Sequence, residues 1–231
     1  MASAQQWLDV ISHNLANVST AGYKRDVIAF NDGLLREMQQ QASGETVGLL
    51  GAGPIAKGQY TVFEVGVASA TGNPLDLALT SERGMFGIQT AQGQFFTRDG
   101  AFTLDNQRRL VTQSGGLVLD DQNRPITIPT GKIEISPEGQ IDVNGVVVAK
   151  LGVWDGAFTK SGNGMYSASS ARLLEDGSGR MQQGAIESSN VNAIEEMIAM
   201  IRLNRAFELA QKSAQSQDES SQRLIQSLQD Q

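Results

Sequence analysis

Two apolar seams, one at each end of the chain, constrain the fold more than any other feature. Near the N-terminus Ala4, Leu8, Ile11, Leu15 and Val18 recur at spacings of four, three, four and three. That is the stripe of an amphipathic helix seeking an apolar partner, and it predicts a helix over residues 4–18 with Gly22 as its stop. Near the C-terminus Met200, Leu203, Phe207, Ala210 and Ala214 keep the same spacing, which continues through the polar Gln217 and Ser221 to Leu224 and Leu228. Asn192 is a good N-cap, with Glu195 three residues on in the manner of a capping box. Residues 192–228 contain neither Gly nor Pro. As one helix they would run about 55 Å, longer than a small domain is wide, so the helix needs company along its length. The expected pairs Glu208–Lys212 and Glu219–Arg223 place acid before base at i,i+4, an orientation that supports a solvated face.

Between the ends the material changes. Gly makes up 25 of 231 residues, an excess concentrated between residues 44 and 184. Turn signals recur at Gln92-Gly93, Asp99-Gly100, Asp105-Asn106, Ser114-Gly115-Gly116, Asp121-Gln122-Asn123, Pro137-Glu138-Gly139 and Asn144-Gly145. Short alternating runs lie between them: Ala101–Leu104, Ile126–Ile128, Ile133–Ile135 and Ile141–Val143. An antiparallel sheet is the simplest structure with this rhythm. Residues 37–60 show no clear period and are assigned no regular structure. The expected fold is therefore α+β, a mainly antiparallel β centre flanked by terminal helices that pack together. Its segments are a helical 1–30, an irregular 31–66, a β-rich 67–186 and a helical 187–231.

Composition excludes several functions. The absence of Cys removes disulfides, thiolate metal sites and cysteine nucleophiles. A formal charge of −7 with scattered Lys and Arg is wrong for phosphate binding, so nucleic acid is not an expected partner. No apolar stretch is long enough to span a bilayer, so direct membrane insertion is not expected either. The N-terminus has neither a basic region nor a continuous apolar core, which gives no support for a cleaved secretory signal. His13 is the single histidine and lies on the first helix without metal or triad partners nearby in sequence, so it reads as a surface or interface residue. Asp120–Asn123 suggests a calcium loop, but Pro125 and Gly131 stand where glycine and a bidentate Glu belong, which makes a hairpin turn the better reading. Gly48–Gly53 lacks the Lys-Ser/Thr of a phosphate loop. No catalytic, cofactor-binding or metal residues are assigned. Asn14 and Asn17 sit beside the N-terminal seam, where local capping and register-fixing hydrogen bonds between helices are the two alternatives.

The stretch Ile11-Ser12-His13-Asn14-Leu15-Ala16-Asn17-Val18-Ser19-Thr20-Ala21-Gly22-Tyr23-Lys24-Arg25 resembles the N-terminal motif of the flagellar basal-body rod and hook family. Further matches follow in the family's order: Thr71–Leu79, Phe96–Gly100, Glu187–Asn192, Glu196–Ile198 and Arg205–Glu208. His13 and Ser19 depart from the more usual Asn, and Ser81–Phe86 departs from a more usual Gly-Asp-Gly-Phe-Phe pattern. The resemblance implies about ten more residues before the position of Met1, another helical turn or more, so a truncated or misassigned start is expected. Length and the ending Asp218–Ser221 look more similar to the proximal-rod member, with the distal-rod member the close alternative.

The resemblance implies a rod subunit exported unfolded by the flagellar type III apparatus, without a cleaved signal. It then polymerises into a helical tube with copies of itself and with other rod and hook proteins, in the basal body. Seams and matched motifs together mark a candidate subunit interface: Leu8, Ile11, Asn14, Leu15, Asn17, Val18, Asn190, Asn192, Met197, Met200, Leu203, Phe207, Ala210, Leu224 and Leu228. A different class of function is a β-domain binding module for cell-wall glycan or a partner protein, with the helices serving as a dimer handle.

Overall fold

The computed structural model describes residues 2–30, 56–82, 84–174 and 179–229. The chain forms two compact units, each discontinuous in sequence. The first comprises Met1–Ala16, Asp26–Tyr60 and Asn192–Gln231, and the second comprises Asn17–Arg25 and Thr61–Val191.

In the first unit, helix α1 (Ala2–Ala16) packs against the last helix, α2 (Ala193–Gln229), and against strand β1 (Asp26–Phe30). β1 pairs with β2 (Ala56–Thr61) as a two-stranded ribbon. Two expectations are corrected here. Residues 56–60, read as irregular, are strand, because pairing with β1 supplies order that no local period announces. The remainder of 37–60, through residue 55, lies outside the described residues. The first helix ends at Ala16 and not at Val18. Asn17 turns the chain instead: its carbonyl accepts from Thr20 N at 3.1 Å and its Oδ1 accepts from Thr20 Oγ1 at 3.2 Å. Val-Ser-Thr is a poor helix continuation, since Ser and Thr compete for the backbone and Val loses χ1 freedom.

Fourteen strands follow among the described residues. They are β3 (Ala68–Ala70), β4 (Leu77–Leu79), β5 (Met85–Thr90), β6 (Gly93–Thr97), β7 (Phe102–Leu104), β8 (Leu110–Thr112), β9 (Leu117–Val118), β10 (Ile133–Ile135), β11 (Gln140–Val143), β12 (Val146–Lys150), β13 (Val153–Gly162), β14 (Met165–Leu173), β15 (Met181–Gln183) and β16 (Ala185–Glu187). Among the described residues the strand pairings of this second unit are antiparallel.

The largest sheet runs β13-β14-β6-β5-β9-β8-β7. β13 also pairs with β5, through Val153↔Phe86 and Trp154↔Met85, so β13, β14, β6 and β5 close on themselves. Closure removes edges that would otherwise be open to pairing. β10-β11-β12 form a second sheet. Its β11–β12 turn is Asn144-Gly145 with φ of 54° and 83°, the left-handed pair that a two-residue hairpin requires. The run Ile126–Ile128, read as a strand, makes only an isolated bridge from Thr127 to Arg109, although both isoleucines are buried. Asp120 is the pivot of a turn, its carboxylate accepting from Gln122 N and Arg124 N and pairing with the Arg124 guanidinium.

The core of this unit is apolar and drawn from distant strands, including Leu77, Leu79, Phe86, Ile88, Phe102, Leu110, Val118 and Ile141. Phe86 and Phe102 meet edge to face at 5.1 Å. Two short pairings, β15–β4 and β16–β3, stitch the end of the unit back onto its beginning.

Candidate assembly surface and the buried latch

Helix α2 begins as its sequence predicts. Asn192 Oδ1 accepts from Ile194 N at 3.1 Å, and its carbonyl accepts from Glu196 N at 3.0 Å. Glu195 and Glu196 place carboxylates in the positive first turn. The helix then carries two apolar stripes. Met200, Leu203 and Phe207, spaced three and four, are half-buried, with the half-buried Glu196 one turn before them on the same face. Ile194, Met197, Ile198, Ile201 and Leu209 are exposed, Ile201 to 53% and Leu209 to 68%. Met197 therefore lies on the open stripe and not with Met200, and Ala210 is exposed too. The side chains of Ala4, Ala214, Leu224 and Leu228 lie outside the described residues. Each large aliphatic group left in water forgoes up to about 1.5–3 kcal/mol of burial, so five in one stripe is a surface suited to a partner.

On α1 the buried positions are Val10, Ile11 and Asn14, with Leu8 and Leu15 half-buried. His13 is exposed and lines a shallow cleft of about 290 Å³ with Gln6, Asp9, Val10, Ile28, Gly58 and Gln59. Asn14 does more than cap its helix. Its Oδ1 accepts from Asp26 N at 2.9 Å while its Nδ2 donates to Asp26 O at 2.9 Å and to Glu196 Oε1 at 3.1 Å. One amide side chain thus satisfies both main-chain groups of the first residue of β1, as a neighbouring strand would, and reaches the first turn of α2. Of the two asparagines, Asn14 joins elements, while the Oδ1 of Asn17 accepts from Thr20 three residues on.

The second unit holds a charged cluster that sequence reasoning did not find. Lys24, Arg98 and Glu187 are all at most 2% exposed. Glu187 Oε1 accepts from Lys24 Nζ at 2.5 Å and from Gly66 N at 2.7 Å, while Oε2 accepts from Arg98 Nε at 2.5 Å. Lys24 Nζ also donates to Glu64 O at 2.6 Å. Three further donors of Arg98 go to the carbonyls of Gly84, Leu79 and Ser81. Every buried donor of a guanidinium needs such an acceptor. Burial pulls the Lys24 ammonium below the usual lysine range, and the Arg98 charge adds to that, against the opposite pull of Glu187.

Around the cluster the chain is clamped. Gly22 N donates to Glu187 O at 2.7 Å. Gly22 sits at φ +65°, and a Cβ there would come within 2.5 Å of the Arg98 backbone, so no other residue fits without movement. Asn190 Oδ1 accepts from Arg25 N at 2.7 Å, and its Nδ2 donates to Val62 O at 2.9 Å. Lys160 Nζ donates to Lys24 O at 2.8 Å and lies 4.0 Å from the centre of the Tyr23 ring. Asn190, placed in the candidate interface from its motif, is thus engaged within its own chain. Lys24, Arg98 and Glu187 each stand in a different matched motif, yet nothing in a single sequence pairs positions so far apart.

Three family models match in chain order. Residues 1–24 match the flagella basal body rod protein model, residues 81–149 the flagellar hook protein FlgE/F/G D1 domain, and residues 182–227 the flagellar basal body rod FlgEFG protein C-terminal region. The flagellar basal-body rod protein FlgG of Bacillus subtilis (strain 168) is 32% identical over 250 residues, covering 97% of this chain and 94% of that protein. The chain belongs to the flagellar basal-body rod protein family. FlgG of Buchnera aphidicola subsp. Acyrthosiphon pisum is 33% identical, covering 95% of this chain and 93% of that protein. FlgF of Rhizobium meliloti (strain 1021) is 30% identical, covering 87% of this chain and 83% of that protein. Relatives of both names align at similar identity, so the family is common ground for the two rod members weighed from the sequence. The three residues of the buried cluster fall in the three matched regions, Lys24 at the limit of the first, Arg98 within the second and Glu187 within the third.

Proposed function

We propose that this chain is a structural subunit of the bacterial flagellar basal-body rod, polymerising into a helical tube that transmits torque, and that it catalyses no reaction. Its partners are copies of itself and other rod and hook proteins. The flagellar export apparatus delivers it to the basal body. The observation that carries the reading is the doubled apolar face of α2, one stripe half-covered by its own unit and the other, Ile194, Met197, Ile198, Ile201 and Leu209, left open. A heterologous contact that does not close generates a filament, and an open stripe beside a covered one provides the surface for it. Within this division of labour the helical ends, with Leu8, Ile11, Leu15, Met200, Leu203 and Phe207, pack the tube, and the β-rich centre supplies lateral contacts. The FlgF-like placement in the proximal rod, with FlgG-like placement as the alternative, is part of the proposal.

Ile201→Asp tests it. The purified variant keeps the thermal midpoint of the parent, because the side chain is already in water, while rods assembled in cells lose the subunit and motility fails. Normal rods carrying Ile201→Asp would overturn the assignment of this stripe.

A further inference from the structure

The second unit is closed by its own end. The run from Arg180 to Asn190 is stitched along residues 62–80: Thr80 N donates to Arg180 O at 2.9 Å, Gly184 N to Asp76 O at 2.8 Å, Ser188 N to Val67 O at 2.8 Å, and Asn190 Nδ2 to Val62 O. Into this seam Glu187 brings the carboxylate that Lys24 and Arg98 share.

Removing that carboxylate leaves two buried cations facing each other, and a lone charge in a dry interior costs several kcal/mol even after relaxation. Before Glu187 arrives the two cations are therefore better left in water, which keeps residues 22–25, 64–66 and the turn before β5 from packing. Glu187 without its cations is no better placed. None of the three segments gains by docking alone.

We propose that Glu187 is the closing charge of this seam: its arrival with β16 docks the Lys24 and Arg98 segments together, so the seam closes in one step. For a chain exported unfolded, the segments around Lys24, Gly66 and Arg98 would stay undocked until Glu187 has emerged. That consequence rests on the export reading above, whereas the closure is a property of the isolated chain.

Hydrogen exchange followed by mass spectrometry on the purified full chain separates the two, because no export channel is involved. In Glu187→Gln, amides in residues 22–25, 64–70 and 181–191 should lose protection together, by on the order of a hundredfold or more, while β8 and β9 change less. Should the single variant unfold throughout, Lys24→Met/Glu187→Gln, which removes one of the two stranded cations, should regain protection and a higher thermal midpoint than Glu187→Gln alone. Unchanged exchange in Glu187→Gln would overturn the proposal. So would a double variant no more stable than the single one, since the seam would then close by packing and hydrogen bonds and not by charge. Either failure leaves the rod assignment standing, because that is tested by Ile201→Asp in assembled rods.

Discussion

The two units differ in the charge they bury and in where their exposed apolar groups lie. The β-rich unit takes charge inside and satisfies it: Lys24, Arg98 and Glu187 are buried in a mesh of ion pairs and carbonyls, beside an apolar core drawn from many strands. The helical unit leaves apolar groups outside, with Ile201 and Leu209 more than half exposed on a helix whose other face is covered. The β-rich unit also leaves Val67, Val146 and Val147 exposed, so the contrast lies in the buried ion-pair cluster, which the helical unit lacks among the described residues, and in the continuous stripe that α2 leaves open. Groups with directional needs are met where one chain can place every partner, whereas apolar stripes tolerate being completed by a neighbour because burial has no strict geometry.

That contrast can be broken by substitutions. The largest effect is expected at Arg98. Arg98→Met leaves Glu187 with one cation and strips the carbonyls of Gly84, Ser81 and Leu79 of their donor. A loss of about 3–5 kcal/mol is expected, read as a fall in the urea midpoint of the β-rich unit, and a midpoint near that of the parent would mean that the cluster is not integral to it.

Asn14→Ala comes next. It exposes no new charge but removes the partner of both main-chain groups of Asp26, which is buried. The cost should be about 1–3 kcal/mol and confined to the helical unit, visible as lost helical ellipticity before the β signal melts. Loss of both signals together would join the two units into one cooperative block.

A smaller, pH-dependent effect belongs to Asp99. Burial, aided by the nearby Asp76 charge, raises its carboxyl above the ordinary 3.8, against a hydrogen bond from Ala101 N. The native state then holds this proton more tightly than the unfolded chain does. Its contribution favours folding as pH falls from neutral through the raised value towards 3.8. Asp105 and Glu134 are shifted down and pull the other way in acid. The difference between parent and Asp99→Asn isolates the first contribution: thermal midpoints measured from pH 7 to pH 4 should show the parent gaining on the variant, and parallel curves would remove Asp99 from the account. Least of all in stability, and greatest in assembly, is Ile201→Asp, expected within about 0.5 kcal/mol of the parent.

Much of this fold was legible beforehand because local rules govern it. Asn144-Gly145 is a hairpin since two successive left-handed residues admit little else, and Asn192 caps α2 since its side chain reaches the next free N–H groups. Periodicity found both helices and much of the seam, whereas Met197 came into the candidate interface through its motif, and its place on the open stripe shows only in the structure. β2 escaped notice because Ala56–Thr61 contains no alternation of its own and becomes strand only beside β1. Asn14 showed its polarity beside the seam but not its partners, which lie on a strand and on the other helix.

What the chain of residues determined by itself was therefore its local grammar: helical ends, a meander of short strands between turns, and motifs in an order that marks the rod family. These depend on spacing within one turn or one hairpin. Which stripe of α2 stays open, what Asn14 holds, and that Lys24, Arg98 and Glu187 share one site were decided only in three dimensions. Each is a long-range pairing, and its energy exists only once distant segments have excluded water between them.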